Sequence, residues 1–277
     1  MKRLLGLILG VCLGLSAQAA ERVVTLGGSV TEIVYALGQG GKVVGDDLSS
    51  LYPEAATKLP RVGYYRSVPL EGVLALKPDL VLASEQAGPP DTLKRLSEVG
   101  VKVLRVSDEP SLHSLETRIG QIAQALGVPS EGEKLWAEVR TKVQEAQDLP
   151  ASGLSAVLLM NRSGAPQAAG AATSADLILQ LAGLKNVLAE QQGYKPLSAE
   201  GIGALAPEVI VVTDASVLAS GGMEKLYQQP GLASTPAVRR RCIVAMDDLL
   251  ALGTGPRLGE AIRFLKQTPC IRDVHSP

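Results

Sequence analysis

Residues 63–67 read Gly-Tyr-Tyr-Arg-Ser, which sets a phenol two residues from a guanidinium. In an extended segment residues i and i+2 point to one side, so Tyr64 and Arg66 would share a face while Tyr65 turns away. A phenol ordinarily ionises near pH 10, and an adjacent guanidinium favours the phenolate, an anionic oxygen ligand. A second Gly-Tyr stands at Gly193-Tyr194, followed by Lys195, and Arg257 ends the short motif LALGTGPR. The competing reading makes the tyrosines rings packed at a domain edge, with Lys195 and Arg257 merely solvated. Other chemistry is thinly provided. There is no CxxC, and the two histidines, His113 and His275, stand far apart, so a zinc or manganese site built on histidines is not expected. No set of acid, base and nucleophile recommends an enzyme.

The elements that must hold these side chains come as a repeat. Laying Glu71 on Glu200 aligns EGVLALKPDLVLAS (71–84) with EGIGALAPEVIVVT (200–213), with identities at Glu, Gly, Ala, Leu and Pro. In each copy a Gly-Tyr precedes a loop, a Glu-Gly opens a short helix, a proline stops it, and a β-branched or Leu-rich run makes a buried parallel strand. Each copy thus puts a tyrosine and a glutamate near one end of a sheet, where open parallel sheets collect ligands. Glu71 and Glu200 could equally be helix N-terminal carboxylates that only favour the dipole.

Around the repeat, short apolar runs alternate with helical spacing. Val23–Leu26, 43–45, 80–83 and 101–104 read as strands of one parallel sheet, and 156–159, 209–212 and 242–245 as strands of a second, with helices around 91–99 and 174–182. Ser29-Val30-Thr31-Glu32 reads as a capping box starting a helix that Gly38 stops. Between the sheets, PSEGEKLWAEVRTKVQEAQDLP (129–150) carries another such box at Ser130 and Glu133, and one apolar face of Trp136, Val139, Val143 and Ala146. At 1.5 Å per residue it makes a rod of roughly 28 Å that bridges two α/β domains, 20–128 and 151–277. A stiff bridge limits hinge bending, and the cleft between the domains is the expected ligand site.

Residues 1–19 have basic Lys2 and Arg3, an apolar run from Leu4 to Leu15, and Ala17-Gln18-Ala19. This is the pattern of a secretory signal peptide, too short for the roughly 20 residues of a membrane span. Export would leave Cys242 and Cys270 in an oxidising compartment, either joined or as two buried thiols. The formal net charge of -1 offers no attraction to nucleic acid or acidic membrane, and the run Arg239-Arg240-Arg241 reads as a solvated turn.

The two-domain layout, the bridge and the paired segments resemble the helical-backbone class of ABC-importer substrate-binding proteins, which serves haem, siderophores and cobalamin. Within that class, LGGSVTEIVYALG (26–38), LPRVGYYRSVPLEGVLALKPDLVLAS (59–84), QQPGLASTPA (228–237) and LALGTGPR (250–257) are similar to the haemin-binding periplasmic HmuT family. The resemblance implies two Rossmann-like domains joined by one long helix, in a monomeric protein of the periplasm that performs no chemistry on its cargo. It implies that the ligand is ferric haem and that the iron ligand is the tyrosine of the GYxR motif, Tyr64, with Tyr65 as the alternative. Tyrosinate is a known axial haem ligand. Arg66, Tyr194, Lys195 and Arg257 then become candidates for the remaining contacts, including the haem propionates. Glu71 and Glu200 would meet the two subunits of a haem permease driven by its ATPase. Two other readings stand beside it: a ferric siderophore or cobalamin carrier, and a two-domain nucleotide-sugar enzyme. One Trp, one Phe and six Tyr speak against an aromatic siderophore cage, and the signal peptide against the enzyme.

Overall fold

The computed structural model describes residues 20–161 and 166–273. The expected signal peptide and His275 lie outside them. The first lobe contains strands β1 (Val23–Leu26), β2 (Val43–Asp46), β3 (Leu80–Ser84) and β4 (Lys102–Val106), with helices α1 (Gly28–Ala36), α2 (Leu70–Ala75), α3 (Pro90–Glu98) and α4 (Leu112–Ala125). Its sheet runs β2-β1-β3-β4, all parallel. Helix α5 (Pro129–Gln147) follows. The second lobe has β5 (Ser155–Met160), β6 (Gln167–Ala169), β7 (Lys185–Asn186), β8 (Tyr194–Pro196), β9 (Val209–Thr213) and β10 (Ile243–Met246). Its helices are α6 (Ser174–Leu181), α7 (Ala199–Leu205), α8 (Asp214–Ala219), α9 (Met223–Tyr227), α10 (Pro236–Arg239), α11 (Asp248–Leu252), α12 (Leu258–Gln267) and α13 (Pro269–Arg272). The strands β10, β9 and β5 are parallel, as their sequences require, but β6 and β8 add an antiparallel ribbon that brings Tyr194 onto the sheet. No helix among the described residues is long and apolar enough to cross a membrane.

The repeat of sequence is a repeat of structure. Strands β3 and β9 are buried at every position, as a strand covered on both faces must be. Lys77 and Ala206, which end α2 and α7, both take left-handed backbone angles, φ 49° and 46°, just before Pro78 and Pro207. The equivalent acids Asp79 and Glu208 then do the same work. Asp79 accepts the Arg22 N–H ahead of β1 at 3.2 Å, and Glu208 accepts the Ser155 N–H at the start of β5 at 2.9 Å. Each lobe therefore pins its central strand to the end of the helix that precedes the next one.

Helix α5 joins the lobes as its apolar face predicts, with Val139, Val143 and Ala146 buried in a single core that continues into both sheets. Close approach is secured by glycine. A Cβ on Gly132 would stand 2.6 Å from the Ala123 Cβ of α4, and one on Gly259 of α12 would stand 2.8 Å from the Lys142 backbone. The ammonium of the buried Lys266 caps the far end, donating to Gln147 O and Leu149 O at 2.6 Å each. Both expected capping boxes are absent. Helix α1 starts at Gly28 and α5 at Pro129, so Ser29 and Ser130 lie inside the first turn, and Glu32 is buried instead of reaching back.

Cys242 and Cys270 form a disulfide across a Cα–Cα distance of 5.5 Å. Closing a loop of 28 residues restricts the unfolded chain. By chain entropy that is worth about 3.6 kcal/mol. Cys270→Ser should lower the unfolding free energy by that amount in urea, and an unchanged midpoint would show that the bond adds nothing.

Candidate functional site

A cleft of about 450 Å³ opens between the lobes. From the first lobe it is lined by the α1 turn, the 48–51 loop, Tyr64, Tyr65, Arg66, Gln86 and Asp108. From the second come Met160, Thr173, Tyr194 and, on α11, Asp248, Leu249 and Leu252. The two Gly-Tyr pairs of the repeat thus meet on opposite walls, each glycine at positive φ, 93° for Gly63 and 72° for Gly193.

The aromatic-basic segment departs from the extended shape its spacing suggested. Tyr64 is extended, but Tyr65–Ser67 form a single 3-10 turn. Neighbouring loops impose it: the Gly88 N–H donates to Tyr65 O at 2.9 Å and the Val68 N–H to Gly88 O at 2.7 Å. As a result Tyr65 does not turn away, and all three side chains reach the cleft. Their environments differ. The Tyr64 ring is 37 % exposed at the mouth. Tyr65 packs against the first-lobe core, with Tyr64 edge-on at 4.8 Å and the Arg66 guanidinium 5.2 Å from its ring centre. Burial first, then the Tyr64 hydroxyl, push the Tyr65 phenol well above its ordinary range, while Arg66 pulls the other way. Tyr65 therefore keeps its proton. The Arg66 guanidinium is held by Gln86 Oε1.

Across the cleft, burial pushes Tyr194 up to about 12, opposed by hydrogen bonds from Thr173 and the Ala175 backbone and by the charge of Arg66. Lys195, the next residue on β8, is exposed and does not line the cleft, because successive strand residues face opposite sides. Arg257 does not line it either. Its guanidinium lies 3.3 Å from Glu32 Oε1, 3.5 Å from Asp247 Oδ1 and 3.7 Å from the ring centre of Tyr52. The structure thus gives Arg257 a fold-holding place between the lobes instead of a ligand-facing one. Glu71 and Glu200 are exposed in the first turns of α2 and α7, one on each lobe.

The residues that organise this wall were missed by sequence reasoning. Asp47, fully buried, accepts N–H groups of Gly27 at 2.8 Å, Ser49 at 2.9 Å and Tyr65 at 3.2 Å, tying three loops together. Asp108 pairs at 2.6 Å with Arg118, which is itself 1 % exposed and donates to Thr254 O of the second lobe at 2.7 Å. An acid after an apolar run carries no local signal of such a role, since its partners lie in other loops.

Asp46, beside this hub, gives the fold a pH dependence. Burial raises its carboxyl to about 7, against the pull of Arg61 at 3.0 Å and with a push from Asp47. A group that binds its proton more tightly in the folded state stabilises the fold on the acid side, and that contribution is lost as pH rises from about 4 to 7. The loss should reach at most about 1.4 kcal/mol per pH unit. Asp46→Asn should flatten it, because Arg61 keeps its bonds to Asp47 O and Ser50 O. Urea unfolding from pH 4 to 8 would read this, and equal slopes in both proteins would dismiss it.

Residues 23–250 match the profile of a family described as periplasmic binding protein. In structure the chain is similar to the periplasmic heme-binding protein RhuT from Roseiflexus sp. RS-1 in apo form, with a TM-score of 0.86 and 41 % identity over 92 % of this chain and 99 % of that one. In sequence it is similar to the uncharacterized ABC transporter substrate-binding lipoprotein YvrC of Bacillus subtilis strain 168, 30 % identical over 90 % of this chain and 79 % of that protein. It is also similar to the vitamin B12-binding protein of Yersinia pestis strain Pestoides F, 32 % identical over 73 % of this chain and 72 % of that protein.

Proposed function

The chain belongs to the periplasmic binding protein family, and from that membership we propose that it captures ferric haem in the interlobe cleft and delivers it to an ABC importer. The observation that carries this reading is the cleft-facing Tyr64-Tyr65-Arg66 turn opposite Tyr194, in a chain 41 % identical to a heme-binding protein. Tyr64, exposed at the mouth, supplies the phenolate to the ferric ion, and the protonated Tyr65 and the Arg66 cation beside it favour that charge. Leu48, Leu51, Leu249 and Leu252 give the porphyrin apolar walls. Tyr194 closes the opposite face. No side chain in this scheme does chemistry on the cargo. The protein works in the periplasm as a monomer, with domains 20–128 and 151–277 held by the bridging helix. The same core running through both lobes supports small closure motions only.

Glu71 and Glu200 serve as the docking carboxylates, one for each permease subunit. Rim charges of this kind set register and encounter rate. Reversing both to lysine should abolish haem uptake into permease-bearing vesicles while haem binding in solution persists. Uptake unaffected by the double reversal would remove this role.

The likeness to the vitamin B12-binding protein supports a second reading, a cobalamin carrier. Titrating the apoprotein with ferric haem and with cobalamin decides between them. Saturable binding with a tyrosinate charge-transfer band is expected for haem, and tight binding of cobalamin alone would reverse the assignment.

A further inference from the structure

The turn entering α1, Gly27-Gly28-Ser29, forms part of the cleft wall. We infer that the N-terminus of α1, with the Ser29 hydroxyl, seats a carboxylate of the bound ligand, so that one haem propionate points into the first lobe instead of out to solvent. This deepens the haem reading and rests on it.

Helix α1 has nine residues, and its first residues, Gly28 and Ser29, line the cleft. Such an end carries partial positive charge and unsatisfied donors, which suit an anion. The two N–H groups that precede the opening are already used, Gly27 on Asp47 Oδ1 at 2.8 Å and Gly28 on Ser49 Oγ at 2.9 Å. Those of Ser29 and Val30 meet no acceptor among the described residues. Ser29 supplies the independent observation. It is 8 % exposed, it lines the cleft, and its hydroxyl has no partner among the described residues. The residue is more than nine-tenths buried, so what remains accessible of it opens into the cleft, where a ligand oxygen could take the place of water on the hydroxyl.

The neighbouring Asp47 does not cancel the seat, because its charge is already spread over the N–H groups of Gly27, Ser49 and Tyr65 and the hydroxyls of Ser49 and Ser50. The other helix opening on the cleft, α6, is already occupied: Thr173 accepts the Asp176 N–H, and Ala175 bonds Tyr194.

The test compares ferric protoporphyrin IX with its dimethyl ester, which keeps the iron and the ring and lacks both carboxylates. Affinities are measured for the unaltered protein, Ser29→Ala and Ser29→Asp, with thermal melts to show that each is folded. Ser29→Ala should weaken haem about tenfold and leave the ester unchanged, as expected for one hydrogen bond to a charged group. Ser29→Asp should weaken haem further, by about 100-fold, and the ester only a few-fold, because like charges repel. Equal losses for both porphyrins, or no loss for either, would overturn the seat and leave the haem reading standing. Failure of the unaltered protein to bind either porphyrin would remove the haem reading and the seat with it.

Discussion

Tyr64→Phe should abolish the tyrosinate charge-transfer band of the ferric haem complex and weaken haem binding by more than about 100-fold. Changes to residues that only support a metal ligand commonly cost 10–100-fold, so loss of the ligand itself should cost more. Tyr65→Phe should keep the band, shift its position and weaken binding by about tenfold at most. The distinction rests on where each hydroxyl sits. Tyr64 is 37 % exposed at the mouth. Tyr65 is wedged between Tyr64 and Arg66, with its phenol raised by burial. A phenol that resists ionisation is a poor iron ligand but a good hydrogen-bond donor to a neighbouring phenolate. Loss of the band in Tyr65→Phe with retention in Tyr64→Phe would exchange the two roles. Retention in both would place the iron elsewhere, with Tyr194 next to be changed.

The difference between these tyrosines marks how far sequence alone could go. Strands β3 and β9 were legible, because a run buried on both faces must be apolar throughout, and so was the bridging helix, whose Val139, Val143 and Ala146 recur at helical spacing. Periodicity records which side of an element meets the core. It does not record what a loop bonds to. The 3-10 turn at Tyr65–Ser67 is fixed by bonds to Gly88, and the start of α1 by Asp47, both contributed by other loops. The antiparallel ribbon of β6 and β8 escaped notice because three-residue strands are too short to show alternation. Cleft residues were found where the repeat displayed them, at Tyr64 and Tyr194, and missed where their partners were distant, as at Asp108 and Gln86. Arg257 is the clearest case: its partner Glu32 stands 225 residues earlier.

That pair carries the largest expected effect on stability. Glu32 is 4 % and Arg257 13 % exposed at the side chain, and the pair joins the first helix of one lobe to the last large helix of the other. The Arg257 N–H donates to Glu32 Oε1 at 3.1 Å and Nη2 to Oε2 at 3.4 Å, while Nε lies 3.3 Å from Oε1. Arg257→Ala removes the cation and its side-chain contacts and leaves the buried carboxylate with the backbone N–H of residue 257 but no counter-charge from it. The expected loss at pH 7.5 is about 3–5 kcal/mol, the usual consequence of breaking a buried pair from one side. Burial already raises the Glu32 pKa above its ordinary value, and Arg257 is the largest influence holding it down. Without the arginine it rises further. A carboxyl raised in the folded state loses its stabilising contribution as pH climbs through that value, so the variant should recover part of its stability on acidification toward pH 5. Glu32→Gln on the Arg257→Ala background should recover stability at pH 7.5 as well, since the amide carries no charge to desolvate. Arg257→Lys should fall short of the unaltered protein, because an ammonium cannot both meet Glu32 in two places and stack on Tyr52. Urea unfolding of the four proteins at pH 5 and 7.5 would measure all of this. If Arg257→Ala instead unfolded like the unaltered protein but bound haem more weakly, the arginine would be a propionate contact after all, and the lobes would be held together by α5, its apolar face and the Arg118 bond to Thr254 O.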